Sequence, residues 1–327
     1  MTSQRCLGAA GRRAASLGVA SLGVAVTLTL AACAQHDPTP PAPPTASTPA
    51  PGAPSTAATP PATVSADLSP TVADDFANLE AAYDARVGVY AVDTGSGATL
   101  GYRADERFAY ASSIKALLAA GVLLAIDDLD RVITYGPDVL VPNSPETERN
   151  LATGMSIRDL AEAAVRVSDN AATNLLLAEL GGPAAFGETL ARIGDTTTLP
   201  VRTEPALNEA TPGDTRDTST PRALATSLRA VTLGGVLDSE RAVTLIDWMT
   251  DNPTGDTLIR AGTAMDAVVA DKSGAGGYGT RNDIAVVWPA SGDPIVIAVL
   301  TSRDDANAER DDQLVADAAV IALGALE

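Results

Sequence analysis

Ser112 and Lys115 open an apolar run, Ala116-Leu-Leu-Ala-Ala-Gly-Val-Leu-Leu-Ala125, built from strong helix formers. The pattern predicts a buried helix beginning near Ser112, with hydroxyl and amine three positions apart on one face of its first turn. Backbone N–H groups and the helix dipole favour negative charge there. An amine beside the hydroxyl can make it a nucleophile without histidine. The competing role for Ser112 is simple capping of a core helix.

Histidine is indeed out of the question. The chain has one, His36, inside a Pro/Ala/Thr-rich stretch. A Ser-His-Asp triad and a His-ligated zinc site are both excluded. Proton transfer must then fall to Lys, Glu, Asp or Tyr, and no metal or cofactor is expected.

Three further places carry suitable groups. Ser168-Asp169-Asn170 lies between two helical patterns: all three types are preferred caps, and the triplet also offers a second hydroxyl and an amide at a loop tip. Lys272-Ser273-Gly274-Ala275-Gly276 ends a predicted strand, where a lysine could hold a carboxylate and the glycines let backbone N–H groups approach a substrate. Arg281 heads the next strand and could reach the same anion through its guanidinium fork. Arg202-Thr-Glu204-Pro-Ala-Leu-Asn208 opens a long loop ending at Asp217. Arg202 and Asp217 are placed to close that loop as an ion pair, and Glu204 with Asn208 could hold a water. The plain alternatives are a polar turn, a solvated arginine and exposed loop residues.

The elements that must position these groups follow from periodicity. Helices are predicted at 72–85, 156–167, 171–180, 183–193, 221–232, 239–252 and 311–326. Strands are predicted at 86–92, 98–102, 267–272, 283–288 and 295–301. Strands thus lie at both ends of the folded part and helices fill the middle. The expectation is an α/β protein with an antiparallel sheet from residues 71–105 and 253–327, flanked by helices, and an all-helical part over 106–252.

The formal charge of −19 argues against a nucleic-acid partner. Arg5, Arg12 and Arg13 precede an apolar stretch, Ala14 to Leu30, short of the roughly 20 residues of a spanning helix. Leu30-Ala-Ala-Cys33 follows and resembles a bacterial lipobox, whose cysteine becomes the lipidated N-terminus. This predicts a signal peptide at 1–32, a lipid on Cys33 and an extended tether over 33–70, with plain cleavage or an uncleaved anchor as alternatives. Cys6 would leave with the signal, so the exported part would hold neither disulfide nor thiol nucleophile.

S-x-x-K, S-D-N, E-x-x-L-N and K-S-G occur in this order. With 152–159, 208–217 and 278–288 as supporting runs, the chain from about Thr71 to Glu327 strongly resembles class A serine β-lactamases. The resemblance implies the two-domain serine β-lactamase/DD-peptidase-like fold and hydrolysis of β-lactams through an acyl-enzyme. It implies Ser112 as nucleophile, Lys115 as its proton partner, and Ser168 as proton donor to the departing nitrogen. Glu204, helped by Asn208, would activate the deacylating water, while the acylation base would be Lys115 or Glu204. Backbone N–H groups of Ser112 and Ala275, beside Gly274, would form the oxyanion hole. Asn170 would hold the side-chain amide, and Lys272, Ser273 and Arg281 the substrate carboxylate. The chain departs from the family in Lys-Ser-Gly for Lys-Thr-Gly and in Asn143, where members often carry an aromatic residue at the pocket rim. The expected setting is a monomer, lipid-anchored on the outer face of the cell membrane or partly released as a soluble form. The alternatives are a penicillin-binding D-Ala-D-Ala carboxypeptidase and a non-catalytic cell-wall lipoprotein.

Overall fold

The computed structural model describes residues 69–326. The predicted signal peptide, Cys33, His36 and all of the tether before Ser69 lie outside the described residues. Ser69 caps the first helix, its Oγ accepting from Val72 N at 3.3 Å, and Pro70 opens it with a φ already suited to a helix. Helix α1 (Pro70–Tyr83) therefore takes in the last residue of the predicted tether.

Strands β1 (Arg86–Asp93) and β2 (Thr99–Tyr102) form the expected hairpin, followed by the two-residue strand β3 (Phe108–Ala109). A 3-10 turn, Ala111–Ile114, leads into α2 (Lys115–Ala125), and a short β4 (Val132–Ile133) and helix α3 (Pro145–Arg149) come next. After β5 (Met155–Ser156) run α4 (Ile157–Arg166), α5 (Asn170–Leu180) and α6 (Pro183–Arg192). Strand β6 (Thr218–Ser219), α7 (Pro221–Thr232) and α8 (Ser239–Thr250) lead to β7 (Val268–Ala275), β8 (Arg281–Trp288), β9 (Ile295–Ser302) and α9 (Asp312–Gly324).

The sheet order is β2-β1-β9-β8-β7, with every neighbouring pair antiparallel. The two ends of the folded chain meet in its middle, Val89 lying opposite Val299. Strand β9 reads Ile-Val-Ile-Ala-Val-Leu because both of its faces are covered. Val296, Ala298 and Leu300 join one apolar cluster with α2, α4 and α7, while Ile297 and Val299 join another with α1 and α9. Helix α2 is apolar nearly all round because neighbours enclose it. Lys115 is its one charged residue and is wholly buried.

Two small ribbons, β3 with β6 and β4 with β5, were outside the sequence expectation. Two residues per strand are too few to leave a periodic signal.

Candidate active site

The turn carrying Ser112 is built differently from the smooth helix start that periodicity predicts. Ala111 has φ +47°, a left-handed conformation that a side chain resists. Ser112 and Ser113 then complete the 3-10 turn, and Ser113 Oγ bonds back to Tyr110 O at 2.6 Å. The α-helix proper begins only at Lys115. Asn143 and Ser168, which flank the same cleft, also have positive φ. Three strained non-glycine residues around one opening mark a place where backbone comfort yields to geometry.

That cleft has a volume of about 500 Å³. Ser112, Ser168, Asn170, Asn208, Ser273, Gly274, Ala275 and Arg281 line it, so eight of the residues singled out in the sequence meet there. Lys115, Glu204 and Lys272 are buried close around them.

The Ser168-Asp169-Asn170 triplet divides its labour. Asp169 does the capping: its Oδ1 accepts from Ala172 N at 2.9 Å. Its Oδ2 takes Glu146 N and Thr147 N, pinning the loop that contains Asn143. Ser168 and Asn170 are thereby free to face the lysine. Lys115 Nζ donates to Ser168 O at 2.9 Å, Ser168 Oγ at 3.2 Å and Asn170 Oδ1 at 2.6 Å. Asn143 Nδ2 adds a second donor to Ser168 O at 2.9 Å.

Glu204 lies against the same ammonium, with Oε1 2.9 Å from Lys115 Nζ and both side chains fully buried. The contact is an ion pair of poor hydrogen-bond geometry, and the better-aligned acceptors of the ammonium lie on Ser168 and Asn170. Burial draws the Lys115 ammonium below its usual range, and the Glu204 charge works against that shift. Asn208 Nδ2 donates to Glu204 Oε2. Asn174 clamps the glutamate backbone, accepting from its N at 2.8 Å and donating to its O at 2.9 Å. Oε1 is left as the carboxylate oxygen with no aligned donor among the described residues. Among the described residues no hydrogen bond joins Ser112 Oγ to Lys115, although the two share the first turns of one helical segment.

The loop bearing Glu204 closes as expected. Arg202 Nε pairs with the buried Asp217, whose Oδ1 also accepts from Val201 N, Arg202 N and the Tyr110 hydroxyl. This ties both ends of the loop to the segment just before Ser112. The turn after β7 docks on the same loop, with Gly277 N donating to Asn208 O at 2.9 Å. Gly274 lets β7 press against the serine turn: a Cβ there would lie 2.9 Å from Ser113 N and 3.2 Å from Ser112 N. Only a bare backbone permits that approach.

On the far wall Ala275 pairs with Arg281 across β7 and β8, which sets the guanidinium on the strand next to the Gly274-Ala275 edge. Arg281 Nε is held by Asp312 Oδ1 at 2.6 Å. Ser273 Oγ shares a hydrogen bond with Thr254 Oγ1 at 2.7 Å, and Thr254 in turn leans on Asn252. Thr254 was missed from sequence, where Asn-Pro-Thr-Gly reads only as a helix stop. Lys272 stands behind Ser273, its Nζ donating to Ser273 O at 2.9 Å. Burial and the nearby Lys115 charge bring the Lys272 ammonium down to about 7, against the opposing pull of Asp271 and Asp283.

A pH dependence follows. The Lys272 charge is present below pH about 7 and is lost as pH rises through that value. For an anionic substrate kcat/KM is expected to hold steady below this point, then fall toward about tenfold per pH unit; kcat, reporting the occupied site, turns down at higher pH because a bound carboxylate favours the ammonium. Steady-state profiles check this, and a flat kcat/KM from about pH 6 to pH 9 would show that Lys272 keeps its charge over that range or that binding does not need it. Among the described residues no cluster of metal-ligating side chains occurs.

Comparison with known proteins meets this geometry. The β-lactamase enzyme family matches residues 71–326. The chain is 55% identical over 256 residues to a β-lactamase of Bacillus licheniformis, covering 77% of this chain and 83% of that protein. It is 53% identical over 268 residues to a β-lactamase of Amycolatopsis lactamdurans, covering 81% and 89%. The crystal structure of a class A β-lactamase from Clostridium kluyveri superposes with a TM-score of 0.77 at 46% identity, covering 78% of this chain and 98% of that one.

Proposed function

Because the chain belongs to the class A branch of the β-lactamase enzyme family, we propose that its cleft opens the β-lactam amide in two steps through an ester on Ser112, so giving resistance to these antibiotics. It is a hydrolase of cyclic amides. In the first step Ser112 Oγ attacks the lactam carbonyl and loses its proton toward the Lys115–Glu204 pair. Backbone N–H groups of Ser112 and Ala275 take up the charge on the carbonyl oxygen. The C–N bond then breaks, and Ser168, hydrogen-bonded to Lys115, returns a proton to the nitrogen. In the second step a water gives its proton to Glu204 and adds to the ester. The C–O bond breaks, and Ser112 recovers its hydroxyl. Lys272, Ser273 and Arg281 hold the substrate carboxylate, while Asn170 and Asn208 flank its side-chain amide.

One observation carries this reading: a buried carboxylate, Glu204, rests 2.9 Å from the lysine of the serine turn with Oε1 unclaimed by any aligned donor. A carboxypeptidase that merely traps penicillin has no use for a second base beside this lysine. A non-catalytic cell-wall lipoprotein would have no use for the intact set. Lys115 and Glu204 lie against each other, so either one, Glu204 through a water, is placed to act as the first base, whereas Glu204 alone serves the second step.

Ser112→Ala is expected to abolish covalent labelling by benzylpenicillin and to cut turnover by about 10⁶-fold, as loss of a catalytic serine does elsewhere. Intact-mass spectrometry after brief exposure checks the label. A persisting adduct would put the nucleophile at another residue.

A further part of the proposal is a monomeric enzyme, exported, lipidated at Cys33 and held at the outer face of the membrane; the leader sequence supports the export and the lipid. Among the described residues no helix is long and apolar enough to cross a membrane. Fatty-acid labelling of growing cells is expected to mark the native chain and leave Cys33→Ala unmarked, and an unmarked native chain would refute lipidation.

A further inference from the structure

Away from the cleft, one cavity is rich in arginine although the chain carries a net charge of −19. It has a volume of about 170 Å³ and lies between β3, the 210–218 end of the long loop and the end of β9. Arg86, Arg107, Arg216 and Arg303 line it, against Asp214 and Asp304.

Two of these arginines are already matched by carboxylates. Arg86 pairs with Glu106 and Arg216 with Asp214, each at 2.6 Å. The other two have neutral partners. Arg107 donates to Thr218 Oγ1 at 3.0 Å and Thr197 O at 2.9 Å. Arg303 donates to Glu309 O at 2.8 Å and to Tyr83 O. Neither forms an ion pair among the described residues, which leaves the exposed Asp304 as the one unmatched carboxylate of the lining.

Thr280 is an independent sign. It lines the same cavity and is fully buried. Its N donates to Gly277 O and its O accepts from Gly276 N, each at 3.1 Å. Yet Oγ1 has no hydrogen-bond partner. A buried hydroxyl rarely goes unmatched.

We propose that this cavity binds a small oxyanion of the phosphate or sulfate type. Two guanidinium groups supply charge and forked N–H donors, and the Thr280 hydroxyl, closed off from solvent without a ligand, turns toward the anion when it binds. The wall formed by Ala210 to Asp214 belongs to the loop that carries Glu204 and Asn208. A bound anion fastens that loop to β3 and to the turn before β8.

Calorimetric titration of the full chain with inorganic phosphate, and separately with sulfate, at an ionic strength held constant with chloride, tests this. The substrate site also attracts anions, so the titration is repeated in Arg281→Ala. The expected result is one saturable site that survives in Arg281→Ala. It weakens at least about tenfold in Arg107→Gln, as loss of a charge-assisted hydrogen bond implies, and measurably in the near-isosteric Thr280→Val. Phosphate should also slow amide exchange over 210–214 in the native chain but not in Arg107→Gln. The proposal falls if binding disappears in Arg281→Ala and persists unchanged in Arg107→Gln and Thr280→Val. It falls equally if heat never saturates, which would mean an adventitious ion only.

Discussion

Glu204→Gln is expected to stop the enzyme half-way. Penicillin turnover should drop by about 10²- to 10⁴-fold, the usual contribution of a positioned general base, while Ser112 still becomes acylated. The structure explains why the two steps should separate. Asn174 holds the backbone of residue 204 from both sides, so the loop does not depend on the carboxylate for its place. Asn208 keeps an oxygen acceptor in the glutamine. Lys115 keeps its three acceptors on Ser168 and Asn170. What disappears is the one oxygen able to take a proton from water. A rapid burst equal to the enzyme concentration, followed by a near-halt, is the kinetic sign, and the mass of the trapped ester is the chemical one. Turnover near the native rate without a burst would sink the assignment.

Lys115→Met should be costly in a different way. It leaves the Glu204 charge buried without its partner, a loss of about 3–5 kcal/mol of stability. For a chain of this size that lowers Tm by on the order of 10 °C. It also frees Ser168 and Asn170 from their shared donor, so kcat/KM should fall by about 10²- to 10⁴-fold. The double variant Lys115→Met/Glu204→Gln separates the two effects. Two neutral groups in place of the pair should recover most of the stability and none of the activity. Calorimetric melting of the four proteins checks it. A double variant no more stable than Lys115→Met would show that the pair is not what holds this region.

The residue list of the site was legible before any fold was known. Having a single histidine, far along the chain from Ser112 and the other polar triplets, excluded one chemistry and left serine, lysine and carboxylate to supply another. Caps and apolar spacing act within about four residues, so α5, α7 and α9 could be placed closely from local pattern alone. Strand patterns at both ends of the folded part announced one antiparallel sheet, and the structure shows that β9 is apolar throughout because both its faces are covered.

Partnership was a different matter. Sequence proximity suggested that Lys115 would face Ser112, but its ammonium bonds to residues 53 and 55 positions away and lies against Glu204. Capping and chemistry stood as rival uses of Ser168-Asp169-Asn170, and the fold gives the cap to Asp169 and turns its neighbours toward Lys115. The left-handed turn at Ala111 carries no glycine to betray it. Such features are settled where distant segments converge: a buried charge must find partners from whatever the packing brings near, and a strained turn persists only when its surroundings hold it. The amino-acid order by itself determined which groups are available and which local elements carry them; the tertiary structure alone decided which of those groups touch, because contact among buried polar atoms is set by long-range packing, not by spacing along the chain.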